Sequence, residues 1–438
     1  MVRFDTFKTI IHEISAIVGE EDLSIHDSVC HTYSFDTSLY SGKAIGVARP
    51  ESVEEICDIL KIANKYRIPI IPRGFGTGNR GGTIPYNALV LDMLKFNSFS
   101  IDSKNLKLEA GAGALFSNIR KSLNSKNVFL PPEPDFDACS IGGFVATAKS
   151  GRRTIKYGNI KDYVLGLDVV LPNGKFVELG SKNFKHSGFD VKDLFVGSEG
   201  SLGVITKAYF KILPKPKDFA VIMVNVENLK MGVELSIEIL NEMLPTSIDY
   251  LDEFCSKALN MKGKLIAIEL DSYTNVDREV EKIEELAKDY GNVEVHKGKK
   301  AEKFYVSLKS LNVRLKNFFK GFPVVEDFEL PIVTIPFVCE EIKEVLEKNE
   351  IKHAFYCHLD SGVIHPIMFF EKESVRKYEM LLNDLCSIVK QHRGYIAGEY
   401  GIGIVKSKFL DINSLEIMKH IKKLLDPNNI MNPGKMGL

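Results

Sequence analysis

Pro72-Arg-Gly-Phe-Gly-Thr-Gly-Asn-Arg-Gly-Gly82 puts five glycines into nine positions, directly after the apolar run Ile68 to Ile71. That density suits neither a helix nor a strand, since each interior glycine costs about 0.5–1 kcal/mol relative to alanine. Glycine does allow positive φ, and with it successive N–H groups that turn inward as an anion-binding nest. The loop therefore implies a bound nucleotide cofactor, and the plain alternative is a glycine-rich surface loop between two strands. Gly76-x-Gly78-x-x-Gly81 formally matches the dinucleotide fingerprint, which must open a helix facing the pyrophosphate. Gly82 and Pro85 interrupt any such helix, and the chain runs straight into a strand-like stretch, Ala88 to Asp92. No Gly-Lys-Ser/Thr follows, which excludes a Walker loop.

Outward from this loop the pattern is α/β. Ser52 is placed to cap a helix carrying Val53, Ile56, Ile59, Leu60 and Ala63 on one face. Short strands follow near 99–101 and 106–110, then a helix near 115–123 and a strand at 128–130 before Pro131-Pro132. A second glycine cluster, Ser140 to Gly151, reads as a short helix start with further backbone donors, followed by Tyr157-Gly158. Strands 164–171 and 175–179 are joined through Pro172-Asn173-Gly174, and Asp193 to Thr206 is a third glycine-rich segment. Leu213-Pro-Lys-Pro-Lys217 marks a domain boundary, beyond which strands near 220–226 and 265–270 alternate with charged amphipathic helices such as 276–288 and 340–348.

The 438 residues, 45% hydrophobic, suffice for two or three domains with full cores. Lys plus Arg number 57 against 58 acidic residues, so no basic excess points to nucleic acid and small anions are the better ligands. No stretch approaches a membrane span, and the charged first twenty residues lack a signal-peptide core, so the expected location is cytoplasmic, with peripheral membrane association left open. Seven scattered cysteines without a Cys-x-x-Cys pair encode neither a disulfide framework nor an iron–sulfur cluster.

The three glycine segments, in this order, resemble the flavin-binding domain of the vanillyl-alcohol-oxidase (PCMH-type) superfamily, in the branch that holds the flavin-binding subunit of glycolate oxidase and the D-lactate dehydrogenases. Further markers are Pro131-Pro-Glu-Pro, Gly197-Ser-Glu-Gly-Ser-Leu-Gly, Gly398-Glu-Tyr-Gly-Ile-Gly403 and Asp426-Pro-Asn-Asn-Ile-Met-Asn-Pro-Gly-Lys435. The resemblance implies an α+β chain. A two-part FAD-binding domain would occupy residues 1–216, and an FAD-linked oxidase C-terminal domain with an antiparallel, ferredoxin-like sheet residues 217–412. A C-terminal helix and tail, 413–438, would return to the flavin. It also implies non-covalent FAD, because Phe75, Asn79 and Arg80 stand where covalent relatives carry a His or Cys; Cys139 reads as a small buried hydrophobe. Arg73, Gly74, Phe75, Gly76, Thr77, Gly78 and Asn79 would surround the pyrophosphate. Ser140, Gly142, Gly143, Ser150, Gly151, Tyr157 and Gly158 would lie near the flavin and Val204 and Ile205 near the adenine, with Pro132, Thr147, Glu199, Gly200 and Gly203 as further FAD-binding residues and Asn432 returning from the C-terminus.

A second constellation is Cys357-His358-Leu-Asp-Ser-Gly-Val-Ile-His365-Pro. With Ser361-Gly362 as a two-residue turn, His358 would face His365 directly across a hairpin, with β-carbons about 5 Å apart, close enough to share a divalent ion. Two unrelated strand histidines are the plain alternative. The resemblance adds Glu399 as third ligand, and zinc or manganese suits two nitrogens and one carboxylate. Such a metal would hold and acidify the hydroxyl of a 2-hydroxy acid of the D-lactate or glycolate kind while its hydride passes to flavin N5. Electrons would then leave to an iron–sulfur subunit or a quinone; a homodimer is allowed.

Three departures from the family pattern lie near the substrate. Tyr400 replaces the histidine expected as general base, and an unperturbed phenol is deprotonated about one time in a thousand at neutral pH, a deficit of about 4 kcal/mol. Leu308 stands where a substrate-binding arginine is usual, with Lys309 or Arg314 as candidate substitutes, and Ile332 replaces an arginine or lysine. The alternative reading is accordingly a catalytically atypical flavin subunit of a larger electron-transfer complex, with a non-redox flavoenzyme a third. His12, His26, His31, His186, His353 and His392 read as surface or satisfied core residues.

Overall fold

The helix Val53–Tyr66 shows how the local rules are met. Ser52 accepts from Glu55 N at 3.2 Å, Ile56, Ile59, Leu60 and Ala63 are buried on one face, and Arg67 closes the helix at φ 55°. The computed structural model describes residues 4–134, 137–148, 151–183, 188–371 and 374–438. The chain forms two compact units, the first made of Met1–Lys149, Asn159–Pro214 and Tyr400–Leu438, the second of Ser150–Gly158 and Lys215–Glu399.

In the first unit, Lys43–Ala48, Tyr86–Asp92 and Ile70–Arg73 form a parallel core sheet, edged by the antiparallel strand Leu23–Ser24. The glycine loop thus links two neighbouring parallel strands. The C-terminal tail adds to this sheet through the parallel bridge Ile70↔Met431, with Ile70 N donating to Ile430 O and Asn432 N to Ile70 O. Ile430 and Met431 join Ile56, Ile59, Leu89 and Leu91 in one core, so the last residues are part of its packing. A second, antiparallel sheet runs Phe99–Asp102, Lys107–Gly111, Val204–Lys211, Val164–Val170, Phe176–Gly180.

The second unit is built on one antiparallel sheet ordered Val293–Lys297, Asp218–Val226, Lys264–Ser272, Ser247–Leu251, Lys352–His358, Val363–Phe370, Phe322–Val325, with Phe328–Glu329 also on Val363–Phe370. Helices Lys299–Lys309 and Leu311–Leu315 cover one face, burying Ala301, Phe304, Leu308, Leu311 and Leu315 against Val221, Ala267, Ala354 and Ile367. Leu308 is therefore core, 6% exposed.

The hairpin that carries the histidines differs from the sequence reading. His358 pairs with Val363 and Tyr356 with His365, so four residues, 359–362, form the loop. Gly362 N donates to His358 O at 3.0 Å and Leu359 N to Ile248 O at 2.8 Å, which uses the loop backbone to tie the turn to the neighbouring strand. Gly362 takes φ +79°, and a Cβ there would meet Leu330 O at 2.2 Å. The two histidines are consequently diagonal neighbours on one face, not directly opposed.

Candidate active site

In the first unit the loop cradle forms a cavity. Arg73 to Asn79, Ser140, Gly142, Gly143, Thr147, Glu199, Gly200, Gly203 and Ile205 line it, joined by Arg80, Cys139 and Tyr400. Arg73 ends its strand buried, donating from Nη1 to Thr83 Oγ1 (3.1 Å) and from Nη2 to Phe35 O (2.8 Å), which fixes the entry to the loop. A Cβ on Gly74 would sit 2.0 Å from Ser140 Oγ, and one on Gly76, at φ +66°, 2.1 Å from Arg73 Nη2. At Gly78 a Cβ would meet only Asp36 Oδ2, at 3.9 Å, so glycine there keeps the cavity open. Close glycine packing on one side and an unobstructed backbone on the other suit a pyrophosphate held by main-chain amides. Ser140 caps the short helix Ile141–Ala146 by accepting from Gly143 N, so that donor is already spent.

Val204, Pro132 and Asn432, expected at the cofactor, are not among the residues that line this cavity. Val204 is fully buried in the core, and Pro132, which precedes the second loop, is buried as well. Asn432 Nδ2 donates to Gly82 O (2.8 Å) and Glu199 O (2.6 Å), stapling the tail to two loops. The Glu199 carboxylate accepts from Ile402 N (2.6 Å) and Gly403 N (2.9 Å), and burial pushes its pKa up to about 7 against those hydrogen bonds. Tyr400 lies beside this clamp with the Arg80 guanidinium 5.4 Å from its ring centre. Lys435 Nζ, without a polar partner among the described residues, sits 4.8 Å from the Tyr86 ring, and burial lowers its pKa to about 8 against Asp36 and Glu199.

Gly151, Tyr157 and Gly158 belong to the second unit, where the Tyr157 hydroxyl donates to Asp271 at 2.8 Å; Ser150, like His186, lies outside the described residues. His358, His365 and Glu399 come together there, their ligand atoms within 4.8 Å of one another and their residues 2, 2 and 4% exposed. The imidazoles meet edge to face with centroids 5.2 Å apart. His358 Nδ1 donates to Asp249 Oδ1 (2.7 Å) and His365 Nδ1 to Glu326 O (3.0 Å). Each Nε2 is thereby left facing Glu399, at 3.4 Å and 3.7 Å. Two imidazoles with their outer nitrogens fixed and one carboxylate between them make a donor set that fits a divalent transition metal. Glu399 is itself held through its N–H on Asp327 Oδ2 at 2.6 Å.

The charge around this triad has a source that the sequence did not reveal. Asp249 lies on the strand Ser247–Leu251 and accepts from Tyr356 as well as His358, while Arg152 Nε donates to its other oxygen at 2.7 Å. Burial alone would raise Asp249, but Arg152 and then His358 hold it below the usual carboxylate range. On His358 burial works against charge, yet Glu399 and Asp249 together bring its pKa up to about 9. Arg152 also reaches Ser247 Oγ (3.1 Å) and Glu269 (3.2 Å), and stacks 5.1 Å from the Tyr305 ring; its Nη1 has no partner among the described residues. Asp360, in the histidine loop, is buried with neither oxygen hydrogen-bonded, and burial raises its pKa to about 7. Of the cations expected to replace the missing arginine, Lys309 lies over Tyr305 at 5.1 Å and Arg314 donates to Ser310. An aspartate inside a buried strand, Ser247-Ile-Asp-Tyr-Leu251, was the one available signal for Asp249.

Comparison with known proteins agrees with this architecture. The FAD binding domain family matches residues 44–180, and the C-terminal domain of FAD linked oxidases matches residues 215–436. Glycolate oxidase subunit GlcD of Bacillus subtilis is 30% identical, with 98% of this chain and 97% of that protein covered. D-lactate dehydrogenase of Archaeoglobus fulgidus is also 30% identical, over 89% of this chain and 90% of that one. The structure of p-cresol methylhydroxylase with substrate bound superposes with TM-score 0.84 over 100% of this chain and 98% of that one, at 16% identity, a likeness of fold. This chain, with an FAD-binding domain in its N-terminal half, belongs to the FAD-linked oxidases.

Proposed function

We propose that this protein is an FAD-dependent oxidoreductase that oxidises a small 2-hydroxy acid, of the D-lactate or glycolate kind, to the 2-oxo acid and passes the electrons to a protein or quinone acceptor. The relatives named as a glycolate oxidase component and as D-lactate dehydrogenase support the reaction class. The observation that carries the reading within the chain is the triad itself: His358 and His365 with their Nδ1 atoms committed and their Nε2 atoms converging on Glu399. FAD, held non-covalently by the glycine cradle, would supply the two-electron acceptor. Zinc or manganese on His358, His365 and Glu399 would act as the Lewis acid that holds the substrate hydroxyl.

The chain's own residues supply positioning and charge. Asp249 fixes the His358 ring and tautomer, and Glu326 O does the same for His365. With Leu308 committed to the core, Arg152 is the candidate carboxylate partner: its buried Nη1 has no hydrogen-bond acceptor among the described residues, and a substrate carboxylate would satisfy it with a charge-assisted hydrogen bond. Tyr400, in the cavity wall with the Arg80 guanidinium 5.4 Å from its ring centre, is the candidate proton acceptor. The reading is tested by anaerobic mixing of the purified protein with lactate, glycolate, malate and 2-hydroxyglutarate. At least one should bleach the flavin, and indifference to a broad panel of hydroxy acids would reject it.

A further inference from the structure

Residues 297–322 contain seven lysines and one arginine against a single acidic residue, Glu302, in a chain of formal net charge −1. The segment comprises the helices Lys299–Lys309 and Leu311–Leu315 and the turn to the strand Phe322–Val325. Its inner stripe, Ala301, Phe304, Leu308, Leu311 and Leu315, is spent on the core. Its outer side carries large apolar residues that the fold does not cover: Val306 is 66% exposed, Val313 62%, Phe318 49% and Phe322 48%. Lys297 and Lys300 are paired with Asp277 and Glu294, but Lys299, Lys303, Lys316 and Lys320 are exposed with no acidic partner among the described residues.

We infer that this face docks on an anionic lipid bilayer. Apolar tips set between lysines are the arrangement that lets side chains enter the headgroup boundary while flexible ammonium groups remain at the charged surface. Protein–protein interfaces enrich arginine and deplete lysine, and here lysine outnumbers arginine seven to one while Arg314 is occupied by Ser310. Among the described residues no helix is long and apolar enough to cross a membrane, so attachment through this face would be peripheral. It would bring the enzyme to acceptors dissolved in the bilayer. On the same helix, Tyr305 faces Arg152, which links the docking surface to the residues around the histidine pair.

The test is co-sedimentation of the full-length holoprotein with vesicles of phosphatidylcholine alone or with added phosphatidylglycerol, at low and high salt. The wild type should bind the anionic vesicles about tenfold or more better than the neutral ones and be released by salt. Combined K299E, K303E, K316E and K320E should abolish binding, and combined V306S, V313S and F322S should weaken it severalfold. Both variants should keep the flavin spectrum and turnover with a soluble dye. Failure of the wild type to bind anionic vesicles at low salt, or wild-type binding by both variants, overturns the inference. So does capture of an acidic protein by this face without vesicle binding.

Discussion

The two units offer opposite means of holding a ligand. The first offers main-chain groups freed by glycine, in a cavity where Gly74 and Gly76 have no room for a side chain. The second offers buried ionisable side chains set against other charged or polar groups: Asp249 against Arg152, His358 against Asp249, and the Glu399 carboxylate against both imidazoles. A backbone cradle tolerates a near-neutral chain, since amide dipoles bind phosphate without net charge. A side-chain cluster does not, because an unpaired buried charge costs several kcal/mol.

If the two mechanisms are independent, they separate by mutation. His358→Ala should strip the divalent metal and lower turnover about a hundredfold or more while leaving bound flavin intact, as metal analysis and the visible spectrum of one sample will report. Gly76→Ala should do the reverse. Its φ of +66° and the 2.1 Å approach to Arg73 make any side chain strained, and FAD affinity should fall about tenfold or more with metal content unchanged. Loss of both ligands from either variant would show that the units do not act separately.

A smaller effect sharpens the second unit's account. Arg152→Lys keeps the charge beside Asp249 but removes the planar fork, so KM for the hydroxy acid should rise about tenfold with metal retained; an unchanged KM would remove Arg152 from substrate recognition. The smallest effect belongs to the first unit. The pKa of Glu199 in the folded chain, about 7, lies above that of an exposed carboxyl, so folding favours its protonated form. The stability this contributes is complete below the ordinary carboxyl range and is lost as pH rises through about 7. Wild-type Tm should therefore fall between about pH 5 and pH 8 by more than that of Glu199→Gln, equivalent to roughly 1–3 kcal/mol. Parallel profiles would show that Glu199 does not titrate in this range.

The same contrast explains what was legible in the sequence. Glycine spacing is local, so the cradle, its flanking strands and the capped helix after Ser52 could all be read from neighbours in the chain. The sequence also singled out His358, His365 and Glu399, whose side chains lie together, but their geometry depended on hairpin register, which the hydrogen bonds of Leu359 and Gly362 move by two residues from a tight turn. Asp249 lies 109 residues from His358 and Arg152 lies 97 from Asp249, partners that meet only through strand pairing and a short excursion of the chain. Asp360 was hidden differently: a carboxylate in a loop ordinarily faces water, and only the packing of the loop buries it. Leu308 is the converse, an apparent loss in the substrate site that proves to be a core position.

The most direct test is the anaerobic rate of flavin reduction by D-lactate or glycolate before chelation, after chelation, and after return of zinc or manganese. The account predicts that chelation leaves FAD bound and slows reduction about a hundredfold, with recovery when the metal is restored. Full-rate reduction by the metal-free protein, or release of flavin together with the metal, would contradict it.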